Sequence, residues 1–184
     1  MYFRNSRLFR LRSISVTEGE KNMLQAFSIN DLICEDYIML GVKADNMRHL
    51  MEQMCNYAYH KGYVKEGYLE ALLERESMYP TGLPTEVMKV ALPHTVDKCH
   101  VIKSGIFIAR LEQPVAFKEM GDGERDVMVE MVFMLAVNSA NEQLTVLQNV
   151  VGMFTKPEAL LALKNAKNES EIIEMIKTYC HATH

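Results

Sequence analysis

The sequence predicts an α/β fold: a mixed β-sheet covered by helices on both faces. Three observations carry this. Apolar residues recur at helical spacing in several separate segments. Between those segments lie short β-branched and aromatic runs. One of these runs, "MVEMVFMLAV", is apolar at every position except Glu130, as a central strand buried on both faces requires. Helices and strands alternate, which favours layers of helix on sheet over separate domains.

Residues 33–40 read as a short first strand. Over residues 44–60 the apolar positions Met47, Leu50, Met51, Met54, Cys55 and Ala58 share one face of a helix. Asp45 or Asn46 caps its start and Gly62 sits at its stop. The methionines on this face suit an irregular core. In "VKEGYLEALLERE", Tyr68, Leu69, Leu72 and Leu73 make the inner side of a second helix ending near Glu76. The prolines and glycine of "SMYPTGLPTE" mark a loop. Strands follow at 87–92, 106–111 and 127–137, with "EMGDGERD" as a polar turn. That turn has neither the register of a calcium loop nor a phosphate-loop lysine. A helix over 141–154 has Leu144, Leu147, Val150, Val151 and Phe154 as its expected buried stripe. Two short helices, "KPEALLALKNA" and "ESEIIEMIKTYC", complete the chain, the last starting at Ser170.

Composition bounds the function. At 184 residues, 48% hydrophobic and 24% charged, the chain suits one domain, or one domain plus a tail. The net charge of −4 gives no general attraction to nucleic acid or to an anionic membrane. Residues 1–22 stand apart with five basic residues against Glu18 and Glu20, a local balance of +3 that leaves −7 on the remainder. An acidic body suits a basic protein partner. The Arg- and Ser-rich start superficially resembles a transit peptide. A disordered extension, or an upstream start before a working Met23, accounts for it more simply, so the expected division is 1–22 as extension and 23–184 as the domain. Cys34, Cys55, Cys99 and Cys180 are scattered without paired spacing, as in a reduced, cytoplasmic protein. Neither they nor the histidines show zinc-ligand spacing, so no metal or cofactor is expected. No apolar run reaches the roughly 18 residues of a membrane span.

The stretch "VMKVALPHT" carries the candidate chemistry. Pro93 lacks an N–H and sets φ, so it ends the strand and directs the next residue outward. His94 therefore leaves the sheet at a strand's carboxyl end, where α/β folds place their sites, and is expected to face solvent. An imidazole is both neutral and nucleophilic near pH 7. His94 is either a packed side chain at a turn or a nucleophile held at the sheet's edge. His49, His60, His181 and His184 suit solvated positions, while His100 is a candidate accessory. Arg75 ends its helix just before the Pro/Gly loop, where a guanidinium can bridge phosphate oxygens or simply be solvated. Gln143 opens the 141–154 helix, whose free amides attract anions.

Taken together, "GYVKEGYLEALLERE", "YPTG", "VALPHT" and "NEQLTVLQNV" resemble the IIA proteins of sugar phosphotransferase systems. The likeness is to the fructose/mannitol structural class, nearest its galactitol-type members, and covers residues 38–179. It implies that His94 accepts a phosphoryl group from the phosphohistidine of HPr. The group then passes to a cysteine of a IIB partner while a membrane IIC permease moves sugar. It also implies that Arg75, first of an Arg-Glu pair, helps hold the phosphoryl group. Three departures matter. Thr95 stands where the class has glycine after the histidine, and could hydrogen-bond the phosphoryl group or the ring. The spacing from Arg75 to His94 is about three residues longer than in mannitol-type members. Gln143 occupies the place of a second active-site histidine and cannot relay a proton. The longer spacing and the glutamine both match galactitol-type members. A regulatory IIA-like module, its phosphorylation state read by a protein partner, is the alternative.

Overall fold

The structure is a computed structural model and describes residues 29–180. The expected extension 1–22, the start of the expected domain at residue 23, and His181 and His184 lie outside the described residues. Among the described residues, five strands form one mixed sheet: β1 (Ile38–Val42), β2 (Gly82–Leu83), β3 (Val90–Ala91), β4 (Gly105–Lys118) and β5 (Asp126–Ala136). Their spatial order is β1-β4-β5-β3-β2. β4 and β5 form the central antiparallel pair, while β1 on β4 and β3 on β5 are parallel.

The helices are α1 (Met47–His60), α2 (Tyr68–Met78), α3 (Ala140–Phe154), α4 (Pro157–Asn165) and α5 (Glu169–Tyr179). Strand alternation divides the core into two layers. Val90, Leu92, Ile106, Ile108, Met131, Phe133 and Leu135 pack with α3, α4 and α5. Ala91, Phe107, Ala109, Val132, Met134 and Ala136 face α1 and α2 instead. The expected sandwich is what forms, because β5 has apolar residues to give to both sides. No described helix is long and apolar enough to cross a membrane.

Several element boundaries differ from expectation. The first strand begins at Ile38, since Glu35–Tyr37 coil into a 3-10 turn. It bulges between Leu40 and Val42, where Gly41 adopts φ 66. β3 is only two residues long, and β2 pairs with it inside the segment expected to be loop. β4 runs well past residue 111. The Glu112–Pro114 stretch forms a bulge, since pairing shifts between Arg110 and Val115 and then resumes to Lys118. Proline is tolerated there because a bulge leaves its missing N–H without a ladder partner. α5 is capped by Asn168, whose side chain accepts the Glu171 N–H, rather than started by Ser170.

α3 turns differently from its expected stripe. Gln143, Val146, Val150, Met153 and Phe154 are buried, whereas Leu144 is 58% and Val151 37% exposed. Phe154 docks edge-on to Phe133 with ring centroids 5.0 Å apart, which sets the rotation of the helix. Apolar residues on both sides of this helix make its inner face ambiguous from periodicity alone. The rotation carries Gln143 inward and leaves Leu144 outside.

Candidate functional site

The site forms where α2, the loop after β3 and the start of α3 converge. β3 is extended beyond Ala91 by two contacts. Leu92 N–H donates to Thr81 O at 3.4 Å, and Leu135 N–H of β5 donates to Pro93 O at 3.0 Å. His94 keeps bridge pairing with Leu135, so the histidine is anchored to the central strand on the side away from solvent. The expected solvent-facing side chain is corrected: His94 is only 7% exposed. The regular strand stops at Ala91, before Pro93, and bridge pairing through Pro93 O carries the ring inward instead of outward.

Both ring nitrogens of His94 have partners of fixed polarity. Nδ1 lies 2.7 Å from Leu92 O, which can only accept, so Nδ1 carries the hydrogen. Nε2 lies 3.2 Å from Nη2 of Arg75, which can only donate, so Nε2 presents a lone pair. The ring is therefore the neutral Nδ1–H tautomer with Nε2 as its nucleophilic atom. Burial, above all, pulls the His94 pKa below the ordinary value; Leu92 opposes this, and the charges of Arg75 and Lys98 add to it.

Arg75 sits in the last turn of α2. Its Nη1 donates to Tyr79 O, and its Cζ lies 4.8 Å from the centroid of the Tyr79 ring. Helix periodicity turns the next residue, Glu76, inward, where it is 4% exposed. Its Oε1 accepts the Thr81 N–H at 2.9 Å, and both carboxylate oxygens lie within 3.0 Å of the Thr81 hydroxyl. Burial pushes the Glu76 carboxyl up, against the pull of those bonds and of Arg75. Glu76 thus braces the turn whose Thr81 carbonyl holds Leu92, and so supports the strand bearing His94.

Thr95 is 2% exposed, and its hydroxyl oxygen accepts the Asp97 N–H at 3.1 Å, closing a tight turn after the histidine. Lys98 was missed by sequence reasoning. Its Nζ donates to Thr95 O at 2.8 Å and to Oε1 of Gln143. Gln143 itself is 7% exposed. The sequence signal for Lys98 was slight: a lysine four residues after the histidine, in a segment with no periodicity.

His100 does not join the group around His94. Its Nδ1 donates to Glu66 O at 2.8 Å, and its ring packs on Gly67, where a Cβ would lie 2.5 Å from Cε1. Asp97, Cys99 and His100 do offer oxygen, sulfur and nitrogen donors within 4.8 Å of one another. However, the Cys99 thiol is hydrogen-bonded to Asp97 at 3.1 Å, and that bond holds its pKa up, away from the thiolate a metal requires. This turn is closed by its own hydrogen bonds.

Exposed apolar side chains flank the site residues in sequence. Met78, Tyr79, Val96 and Leu144 are 58%, 62%, 71% and 58% exposed, and each neighbours a residue of the site. A groove of about 380 Å³ runs from Arg75 along Met78, Tyr79 and Pro80 to Met120–Gly123. Another, of about 330 Å³, between α1 and α2 is lined by none of the residues around His94.

Comparison with known proteins gives this geometry its context. The family model "Phosphoenolpyruvate-dependent sugar phosphotransferase system, EIIA 2" matches residues 31–179. The galactitol-specific EIIA component of Escherichia coli K12 is 28% identical over 127 residues, covering 69% of this chain and 83% of that protein. The mannitol-specific EIICBA component of Vibrio cholerae is 31% identical over 169 residues, covering 90% of this chain but 24% of that longer protein. In the E. coli complex of enzyme IIA-mannitol with phosphorylated enzyme IIB-mannitol, the matching chain has a TM-score of 0.65 at 22% identity, covering 79% of this chain and 97% of that one. That likeness is one of fold. The chain belongs to the EIIA 2 family of the phosphoenolpyruvate-dependent sugar phosphotransferase system.

Proposed function

We propose that the protein is a phosphocarrier in which Nε2 of His94 accepts a phosphoryl group from the phosphohistidine of HPr and passes it to a cysteine of a IIB partner. The observation that carries this is the neutral Nδ1–H tautomer, with Nε2 directed at the guanidinium of Arg75. In the first transfer, the Nε2 lone pair forms the new N–P bond. The donor's P–N bond breaks, and its electron pair returns to the donor ring. Each ring keeps its other N–H, so no proton need move. Leu92 O supports the charge that spreads over the phosphorylated ring. In the second transfer, a IIB thiolate forms the S–P bond and the N–P electron pair returns to Nε2. Such chemistry needs positioning and cationic stabilisation rather than covalent machinery. Arg75 supplies a forked donor for two phosphoryl oxygens, and Thr95 shapes the turn that follows the nucleophile.

The exposed apolar rim of Met78, Tyr79, Val96 and Leu144 suits transient docking of two successive protein partners. A IIB partner is supported by the E. coli complex with phosphorylated IIB. A polyol of the galactitol type, entering through a membrane IIC component, is supported by the galactitol-specific relative. The acidic body suits a basic face on HPr.

The test is incubation with HPr, the system's first enzyme and labelled phosphoenolpyruvate, followed by peptide mapping. Acid-labile label on the His94 peptide, discharged by a galactitol-type IIB, is expected. A folded protein that takes no label would overturn the relay.

A further inference from the structure

Arg75 and Lys98 share an unusual electrostatic situation. Both are partly buried, both carry permanent or near-permanent positive charge, and both depress the His94 pKa. Yet neither forms an ion pair with a carboxylate among the described residues, whose salt bridges all lie elsewhere. Their partners are neutral. Arg75 donates to Tyr79 O and to the imidazole, and Lys98 donates to Thr95 O and the amide oxygen of Gln143. The nearest acid in sequence to Lys98, Asp97, turns its oxygens to the backbone and thiol of Cys99. Glu76, next to Arg75, is committed to Thr81. Two partly buried cations beside one neutral ring, with nearby carboxylates bonded elsewhere rather than paired to them, favour an anion between them. A phosphoryl group on nitrogen carries that charge and has three oxygens to place. One guanidinium fork engages two of them.

We propose that Lys98, held by Gln143, is the second cation of the phosphoryl site and contacts the oxygen that Arg75 leaves free. The two bonds to Thr95 O and Gln143 Oε1 use two of the three ammonium N–H donors. The third is available to a phosphoryl oxygen without dismantling the anchor. Burial lowers the Lys98 pKa, but Asp97 opposes that shift.

This inference rests on the relay proposed above, and the experiment separates the two. His94 is phosphorylated with potassium phosphoramidate, a small-molecule donor that needs no HPr, in wild type, Lys98→Met and Lys98→Arg. The half-life of the phosphohistidine and its 31P shift are then read, alongside single-turnover labelling from phospho-HPr. Folding is checked by amide NMR spectra, and the His94 midpoint by titration of its ring protons. Lys98→Met is expected to slow labelling from phospho-HPr about tenfold to a hundredfold. It should also move the 31P shift and raise the His94 midpoint, while Lys98→Arg restores most of the rate. Unchanged rate, shift and midpoint in a folded Lys98→Met protein would overturn the role of Lys98. Failure of wild type to take label from phospho-HPr, with phosphoramidate labelling intact, would overturn the relay and leave the cation pair standing.

Discussion

Arg75 offers the sharpest quantitative prediction. Its guanidinium donates to His94 Nε2 at 3.2 Å, bonds Tyr79 O, and lies 4.8 Å from the Tyr79 ring centroid. During transfer in the proposed relay, Nη2 must exchange the Nε2 lone pair for phosphoryl oxygens, because that lone pair becomes the N–P bond. A hydrogen bond to a charged group is worth about 1.5–3 kcal/mol. The forked pair would be worth more if buried, but the side chain is only partly covered and screening reduces it. About 2–3 kcal/mol of transition-state stabilisation should therefore vanish in Arg75→Met, a loss of roughly 30- to 150-fold in transfer rate. Arg75→Lys keeps the charge but not the fork, and the shorter ammonium cannot serve Tyr79 O and the phosphoryl group together. It should lose roughly fivefold to tenfold. The assay is single-turnover transfer from phospho-HPr, with thermal unfolding as a control. A folded Arg75→Met protein accepting phosphate at the wild-type rate would refute the assignment, and equal losses in both variants would refute the fork.

Acceptance should be flat at neutral pH and fall as pH drops through the depressed midpoint of His94, since protonation removes the Nε2 lone pair. NMR of the ring against rate locates both. Stability follows the same sign: the unfolded ring binds its proton at higher pH than the folded one, so the His94 contribution is lost as pH falls below its unfolded value near 6.5. His94→Asn should flatten that part of the pH–stability curve. His94→Ala should cost about 1–3 kcal/mol, because Leu92 O loses its buried donor. His94→Asn can keep that donor and should cost less by chemical denaturation. Gly67→Ala should lower stability by more than about 1 kcal/mol, since φ is 89 and the new Cβ would meet the His100 ring at 2.5 Å; a neutral result in thermal unfolding would count against that packing. Removal of residues 1–22 should leave unfolding midpoint and transfer rate unchanged.

Elements with a strong apolar signal were legible to within a few residues: α1 and α2 through one-faced helical periodicity, and β5 through its near-continuous apolar run. The failures have specific causes. β4 was read only over 106–111, where its apolar run stops, whereas a long antiparallel ladder can carry the polar residues and proline that follow across a bulge. The face of α3 was misjudged because Leu144 and Val146 both fit an apolar stripe, and the contact of Phe154 with Phe133 chose between them. At the site, His94, Arg75 and Gln143 were marked by their positions at element ends. Lys98 was invisible because its place depends on a loop of irregular backbone and on a hydrogen bond spanning 45 residues. Periodicity has nothing to say about either.

The misjudged face of α3 and the missed lysine bear on the same mechanism. With Gln143 turned inward, Lys98 has an anchor beside the histidine; with Leu144 turned outward, the rim gains an apolar contact for a visiting partner. The electrostatics then favour one ligand over another at the same nitrogen. A proton arriving at Nε2 adds positive charge between two cations in a partly desolvated site, so the ring resists it. In the proposed relay, a phosphoryl group arriving at the same atom brings negative oxygens toward those cations and is favoured by the field that opposes the proton. A relay histidine needs both properties at once: it must remain unprotonated to attack, yet bind its cargo weakly enough to release it. Peripheral cations at the phosphoryl oxygens meet this need, because a departing group keeps their help until the N–P bond has broken. Thus adding a carboxylate, as in Gln143→Glu, should harm the relay twice, by satisfying Lys98 in the resting state and by repelling the incoming oxygens. Transfer should fall well below that of Gln143→Leu, while the His94 midpoint rises; equal rates in the two variants would show that Lys98 never meets the phosphoryl group.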